Sequence, residues 1–300
     1  MRALEPRVSG VAINGHDGVR VHYEVFGPEV SARTVLLLPT WSLVNSRVWK
    51  MQVPFLASIC GHQVVTFDGR GNGKSDRPPE GYRALDFMQD ALAVMDAAGV
   101  ETADVVGFSS GARWGAYLAG LHPDRVRSLV FIASAVFIRS SSKARLTREA
   151  FLSAPPDREG SNKYNAVHWR EDLPDFVHWF ARQIFTEPHS TKGQDDIEEW
   201  ARGTTPEVLV QTILEGKTPE LEELWPALEQ PVALVHGDED AVTPLSLFEW
   251  LAEQLPHAEL HVVRGGGHAP HLRDPVLFNL YLRDFLARVP VGDRRGHARA

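Results

Sequence analysis

The 300 residues carry 43% hydrophobic and 23% charged side chains with a formal net charge of -8, a balance that excludes a largely disordered chain and allows one large core carrying an insertion. The acidic excess, without clustered Lys and Arg, excludes the phosphate-neutralising surface of a nucleic-acid binder. A single cysteine, Cys60, excludes internal disulfides and multi-cysteine metal sites; no apolar run forms a signal-peptide core or reaches the roughly 18 residues of a membrane span, so a cytoplasmic address is expected.

Residues 10–13 and 19–26 alternate apolar and polar side chains on either side of the turn-rich 14–18, which predicts an antiparallel hairpin at a sheet edge. Residues 34–38 are continuously apolar, the pattern of a parallel strand buried on both faces. They end at Pro39-Thr40-Trp41-Ser42. Apolar residues at mixed helical spacing over 48–59 predict a helix, and 63–67 a further buried strand. The glycine-rich loop 68–75 ends in Gly73-Lys74-Ser75, but a phosphate-binding loop needs another glycine five positions before Gly73, and Asp68 stands there. It is therefore expected to be a strand-to-helix connection at the rim of a site.

Residues 86–97 read as an amphipathic helix with Gly99 as its C-cap. Next comes the stretch that carries the chemistry: the apolar 104–106 runs into Gly107-Phe108-Ser109-Ser110-Gly111, and Trp114, Leu118 and Leu121 then recur at helical spacing over 111–122. Two residues without Cβ atoms permit a tight strand-to-helix turn that presses Ser109 into solvent. Free amides at the helix start meet any anion formed there. Residues 126–133 give one more buried strand, and this alternation of strands and helices predicts a parallel α/β sheet.

From 135 to 228 the strand rhythm stops. The segment is rich in Trp169, Phe176, Trp179, Phe180, Phe185, Trp200 and Trp225, which predicts a helical cap packed by aromatic rings. A lid so lined favours an apolar or aromatic substrate. His168, His178 and His189 lack metal-ligand spacing. The sheet resumes at 231–235, followed by Asp238-Glu239-Asp240, a helix over 245–255, a strand over 259–263, the loop Gly265-Gly266-Gly267-His268 with His271 three residues on, and a helix over 275–287. The domain plan is a core of 1–134 and 229–289, a cap of 135–228, and a polar frayed tail of 290–300.

Open α/β sheets place ligands beyond the carboxyl ends of their strands. Ser109 follows one strand there, Asp238 or Asp240 another, and His268 or His271 the last. With Gly-x-Ser-x-Gly at the elbow and the chain order Ser, Asp, His, the sequence resembles the α/β-hydrolase fold superfamily, in the subgroup of capped esterases and cofactor-free haloperoxidase-like enzymes. The resemblance covers about 11–289 and implies a mostly parallel eight-stranded sheet flanked by helices, with an inserted helical cap. It implies Ser109 as nucleophile, His268 as general base and acid, and Asp240 as the carboxylate that orients and stabilises the imidazole. The later aspartate of the Gly-x-x-Asp loop reaches the histidine in such proteins, which favours Asp240 over Asp238. The three glycines before His268 favour it over His271. Some relatives take the acid from the strand after the elbow helix, where this chain has no carboxylate.

The departure is the oxyanion loop, where the family's His-Gly-x is replaced by Pro39-Thr40-Trp41. The backbone amides of Trp41 and Ser110 stand at the matching positions, and Thr40 and Ser42 add hydroxyls. The implied activity is hydrolysis of a small-molecule carboxylic ester, or a lactone or thioester, through an acyl-enzyme, with no metal or organic cofactor. Perhydrolysis would be a side reaction of the same site. Ser109 argues against dehalogenases and epoxide hydrolases of this fold, which use aspartate. A carbon-carbon bond hydrolase with the same triad and a non-catalytic ligand-binding homologue are the alternatives.

Overall fold

The computed structural model describes residues 4–134, 147–189, 191–216, 224, 228–255 and 257–291. β1 (Val8–Ile13) and β2 (Arg20–Phe26) form the predicted hairpin. The Asn14 side chain accepts the His16 amide, and Gly18, at φ +76°, closes the turn. β2 also pairs antiparallel with β4 (Gln63–Phe67). β3 (Thr34–Leu37), β5 (Ala103–Phe108), β6 (Val126–Ile132), β7 (Val232–Gly237) and β8 (Ala258–Val263) complete the sheet with parallel pairings. The order is β1-β2-β4-β3-β5-β6-β7-β8. The eight strands are mostly parallel, as expected.

The continuous apolar runs are explained by the period-2 alternation of strand side chains. Leu36, Val65, Val105, Leu129 and Leu234 pack on one face with helices Ala84–Ala97, Ser110–Leu121 and Leu245–Gln254. Leu37, Val64, Val106, Val130 and Val235 pack on the other, with Trp49, helix Pro275–Arg288 and the helical insert. At the amino ends of the parallel strands the buried Asp104 carboxylate accepts bonds from Arg33 (2.6 Å), Arg127 (2.9 Å) and Ser128 (2.6 Å). That satisfied network sits at the end of β5 opposite Ser109.

Two local expectations need correction. Residues 48–59 do not form one helix: a 3-10 turn over Ser46–Trp49, a short helical turn over Gln52–Pro54 and a π turn over Phe55–Ile59 follow one another. Pro54 has no amide to donate, and the Trp49 indole is turned inward to donate to the Leu38 carbonyl (2.8 Å). The helix expected over 86–97 starts at Ala84, because the Asp86 carboxylate accepts the Arg83 amide (2.8 Å).

Between β6 and β7 the insert contains helices Ala166–Ile184, Thr191–Ala201 and Pro206–Glu215. The first is two helices joined at Asp172, whose backbone leaves the helical region and whose side chain caps the Asp175 amide (3.1 Å). Pro174 then occupies a first-turn position, where a missing amide costs nothing. Trp225, the upstream end of the cap segment and the tail beyond 291 lie outside the described residues. Among the described residues no helix is long and apolar enough to cross a membrane.

Candidate active site

Ser109 follows β5 with φ +52° and ψ -117°, a conformation that a residue with a side chain adopts only under constraint. The constraint comes from both sides. A Cβ on Gly107 would lie 2.6 Å from the Gly111 and Ala112 backbone, and one on Gly111 would lie 2.2 Å from the Pro39 carbonyl oxygen. Strand, helix and oxyanion loop therefore meet backbone to backbone, and only glycine fits at either place. The Ser109 amide donates to the Ile132 carbonyl (2.8 Å), and its carbonyl accepts from the Ala112 amide (3.2 Å). The half-buried Ser109 side chain is left facing the histidine loop.

His268 Nε2 lies 3.0 Å from Ser109 Oγ, and its Nδ1 lies 2.8 Å from Asp240 Oδ2. A carboxylate can only accept, so Nδ1 carries the proton, and the Nε2 lone pair receives the serine hydroxyl. Asp240 is held by further donors: the Val242 amide (2.7 Å) and Thr243 amide (2.9 Å) on Oδ1, and the Thr243 hydroxyl (2.9 Å) on Oδ2. Burial pushes its carboxyl up, but the neighbouring His268, the bond to it, the Thr243 amide and His236 together hold it below the usual carboxylate range. His236 is buried behind it and donates from Nε2 to the Thr243 carbonyl (3.0 Å). Burial lowers the His236 pKa against the attraction of Asp240.

The other candidates are occupied elsewhere. Asp238 accepts the Gly265 amide (2.6 Å). His271 is buried against Phe108 and Trp49, with no partner for either ring nitrogen. His168 pairs with Asp175 (2.9 Å) and His178 with Glu198 (2.7 Å). Among the described residues no cluster of three His, Cys, Asp or Glu could hold a metal ion. The glycine-rich loop wraps around its own charges: Asp68 accepts the Ser46 and Lys74 amides, while the buried Arg70 forks onto Asp90 and reaches Asp17.

At the oxyanion loop the Ser42 hydroxyl donates to the Arg70 carbonyl (2.9 Å), so it caps the turn. Thr40 is buried and its hydroxyl has no partner. Ser110 is the first residue of the elbow helix, where amides have no intrahelical acceptor. The Trp41 indole donates to the Thr212 hydroxyl (2.7 Å) of the insert, and its ring lies among Tyr164, Trp169, Phe176 and Phe180, with centroids 5.5 to 6.2 Å away. The aromatic residues of the insert thus pack mainly on one another and on the oxyanion loop.

Sequence reasoning missed three features. The insert clamps the Asp240 and His268 loops directly: the Ile184 carbonyl accepts the His268 amide (2.9 Å), Glu187 accepts the Gly267 amide (2.8 Å), and the Thr186 hydroxyl donates to the Glu239 carbonyl (3.1 Å). Thr243 completes the Asp240 cradle, a role that the Asp-x-x-Thr spacing hints at. Arg113, four residues after Ser109, is a lone cation in an otherwise apolar stretch of helix, and that contrast is visible in the sequence.

A model of the alpha/beta hydrolase fold family matches residues 33–275. A Caulobacter segnis protein bearing the name carbamate hydrolase RutD is 29% identical over 274 residues, spanning 88% of this chain and 95% of that protein. A Neisseria meningitidis pimeloyl-[acyl-carrier protein] methyl ester esterase is 29% identical over 262 residues, spanning 86% of this chain and 78% of the esterase. The bromoperoxidase structure from Bacillus anthracis superposes with a TM-score of 0.75 at 22% identity, covering 93% of this chain and 100% of that one.

Proposed function

Because the chain belongs to the alpha/beta hydrolase fold family, we propose that it is a serine hydrolase that cleaves a small-molecule carboxylic ester through an acyl-enzyme. The observation that carries this reading is the unbroken hydrogen-bond chain from Ser109 through His268 to Asp240 at a strained elbow. Ser109 Oγ attacks the carbonyl carbon as His268 Nε2 takes its proton. Asp240, a carboxylate with its other lone pairs already filled, stabilises the imidazolium without accepting the proton. The oxyanion is received by the Trp41 and Ser110 amides. His268 then protonates the leaving alcohol, and water attacks the acyl-enzyme with His268 as base. The methyl ester esterase and carbamate hydrolase names of its relatives support acyl cleavage.

Residues 135–228 act as the cap over a core of 1–134 and 229–289, and the rings around Trp41 support an apolar or aromatic portion of the substrate. The test is hydrolysis of p-nitrophenyl esters of increasing acyl length by the parent and by Ser109→Ala, both checked for folding by circular dichroism. Turnover should fall by at least about 1,000-fold in the variant. Equal rates for the two proteins on every ester would defeat the esterase reading and redirect attention to carbon-carbon bond substrates.

A further inference from the structure

Arg113 stands in the first turn of the elbow helix, four residues after Ser109, which is that helix's N-cap. Side chains lean toward the helix N-terminus, so the Arg113 stem leans back toward the serine. Its guanidinium lies between this helix and the insert. Nη1 donates to the Gly216 carbonyl (2.8 Å), while Nε is buried with no acceptor. Among the described residues no carboxylate lies within ion-pairing distance of it. Glu215, the acid adjacent in sequence to Gly216, is committed to the Gly81 and Tyr82 amides (2.9 and 2.8 Å).

Arg113, half-buried with its Nε shut off from solvent, therefore contrasts with the fully buried arginines. Arg33 and Arg70 each meet a carboxylate at 2.6 Å. Burying a cation with neither counter-ion nor full hydrogen bonding is costly, so a partner that completes its hydrogen bonds would be favoured there. Burial pulls the Arg113 pKa down, against the opposing influence of Tyr117 and Tyr164, yet guanidinium remains a cation at neutral pH. Tyr164 also faces Trp41 of the oxyanion loop (6.1 Å), which ties the guanidinium to the walls of the same site. The rest of the molecule opposes anions, since its net charge is -8. A preference for an anionic substrate must come from a fixed local cation.

We propose that Arg113 binds a carboxylate on the substrate, so that the substrate class is an ester that also bears a free carboxylate, held about one helical turn from the carbonyl that Ser109 attacks. This rests on the serine-hydrolase reading. A guanidinium offers five donors in a planar fork, of which the Gly216 carbonyl takes one, leaving a donor pair for a carboxylate.

The experiment measures kcat/KM for methyl half-esters of glutaric to suberic acid against methyl esters of the matching monoacids, and for O-acetyl hydroxy acids against acetyl esters of the matching alcohols. The first arm carries the carboxylate on the acyl side, the second on the alcohol side. The parent should prefer the charged member in one arm by about 10- to 100-fold. Arg113→Met should abolish that preference, read as the ratio of kcat/KM for the charged and the neutral ester within each protein whatever the variant's absolute rate, and Arg113→Lys should keep part of it. Neutral-ester turnover also reports that each variant is folded. A parent without preference in either arm, or a preference that survives in Arg113→Met, overturns the proposal and leaves Arg113 as a tether for Gly216. If no ester in either arm is turned over in a Ser109-dependent way, the hydrolase reading itself falls and takes the proposal with it.

Discussion

Lowering the pH should destabilise this protein through His271, and the size of the effect follows from where that ring sits. Neither ring nitrogen has a partner, and Phe108, Trp49 and Phe278 surround it at centroid distances of 4.6, 5.1 and 5.9 Å. Burial, with a smaller contribution from His268, pushes its pKa down from 6.5 to about 3. The unfolded chain therefore binds a proton near pH 6.5 that the folded chain refuses until near pH 3. Stability is fully present above pH 6.5 and is lost by about 1.4 kcal/mol for each pH unit below it, which amounts to about 2 kcal/mol at pH 5. His271→Phe, a ring suited to the same aromatic surroundings, removes this dependence. The assay is reversible urea unfolding of parent and variant at pH 7.5 and pH 5. Whatever the substitution costs at pH 7.5, the parent should lose about 2 kcal/mol relative to the variant by pH 5. Asp240 does not confuse the comparison: its carboxyl is lowered, so its contribution is lost only below the ordinary aspartate range, and it is common to both proteins. A stability difference that stays constant between the two pH values would mean that the folded protein protonates His271 as easily as the unfolded chain, and would refute the reasoning.

The two acids two residues apart should separate cleanly: Asp240→Asn is expected to lower kcat by about 10,000-fold through loss of the imidazole's tautomer and charge partner. Asp238→Asn, which loses only a bond to the Gly265 amide, should stay within about threefold; comparable losses in both would remove the assignment. Gly111→Ala sets a Cβ 2.2 Å from the Pro39 carbonyl oxygen, so the elbow and oxyanion loop must part. The expected cost exceeds about 2 kcal/mol, read as a fall in melting temperature of at least about 4 °C, and an unchanged melting temperature would contradict the close packing described.

What the sequence made legible is what depends on short-range pattern. The parallel strands were readable because 34–38, 63–67 and 231–235 are apolar without alternation, and only a strand covered on both faces requires that. The elbow was readable because its glycines bracket Ser109 in a fixed pentapeptide. Asp240 and Asp238 were separable only by resemblance, because the distinction depends on where β7 ends. Asp238 still donates its amide to Val263 in line with the β7–β8 pairing, whereas Asp240 lies past it in a turn that folds the Val242 and Thr243 amides onto its carboxylate. At 48–59 the apolar spacing masked the break although Pro54 lies in the middle of that stretch, and the Trp49 indole's bond to the Leu38 carbonyl is a tertiary contact that apolar spacing does not show. Arg113 and the clamp from the insert were hidden for a stronger reason: they join segments between 53 and 103 residues apart, and no local pattern encodes such a pairing.

That clamp changes how the insert should be regarded. A helical cap that merely covered a site would touch the core through apolar side chains. Here the end of helix Ala166–Ile184 and the residues just after it bond both to the loop that carries Asp240 and to the loop that carries His268. The Ile184 carbonyl takes the amide of His268 itself, Glu187 takes the amide before it, and Thr186 reaches the carbonyl before Asp240. A Cβ on Gly267 would lie 2.8 Å from the Ile184 carbonyl oxygen, so the absence of a side chain there admits the insert as well as freeing the histidine loop. On the opposite wall the insert holds Trp41 through Thr212 and touches the elbow helix through Gly216 and Arg113. His268, the Asp240 loop and the oxyanion loop are thus each bonded to the same inserted segment, while Ser109 itself is held through its backbone by β6 and the elbow helix. A displacement of the insert by 1 Å would move three of the four components relative to the serine, and reaction geometry of this kind loses about 100-fold for an error of that size. On the serine-hydrolase reading, substrate recognition by the insert and alignment of the reacting groups are consequently one mechanical property of the fold.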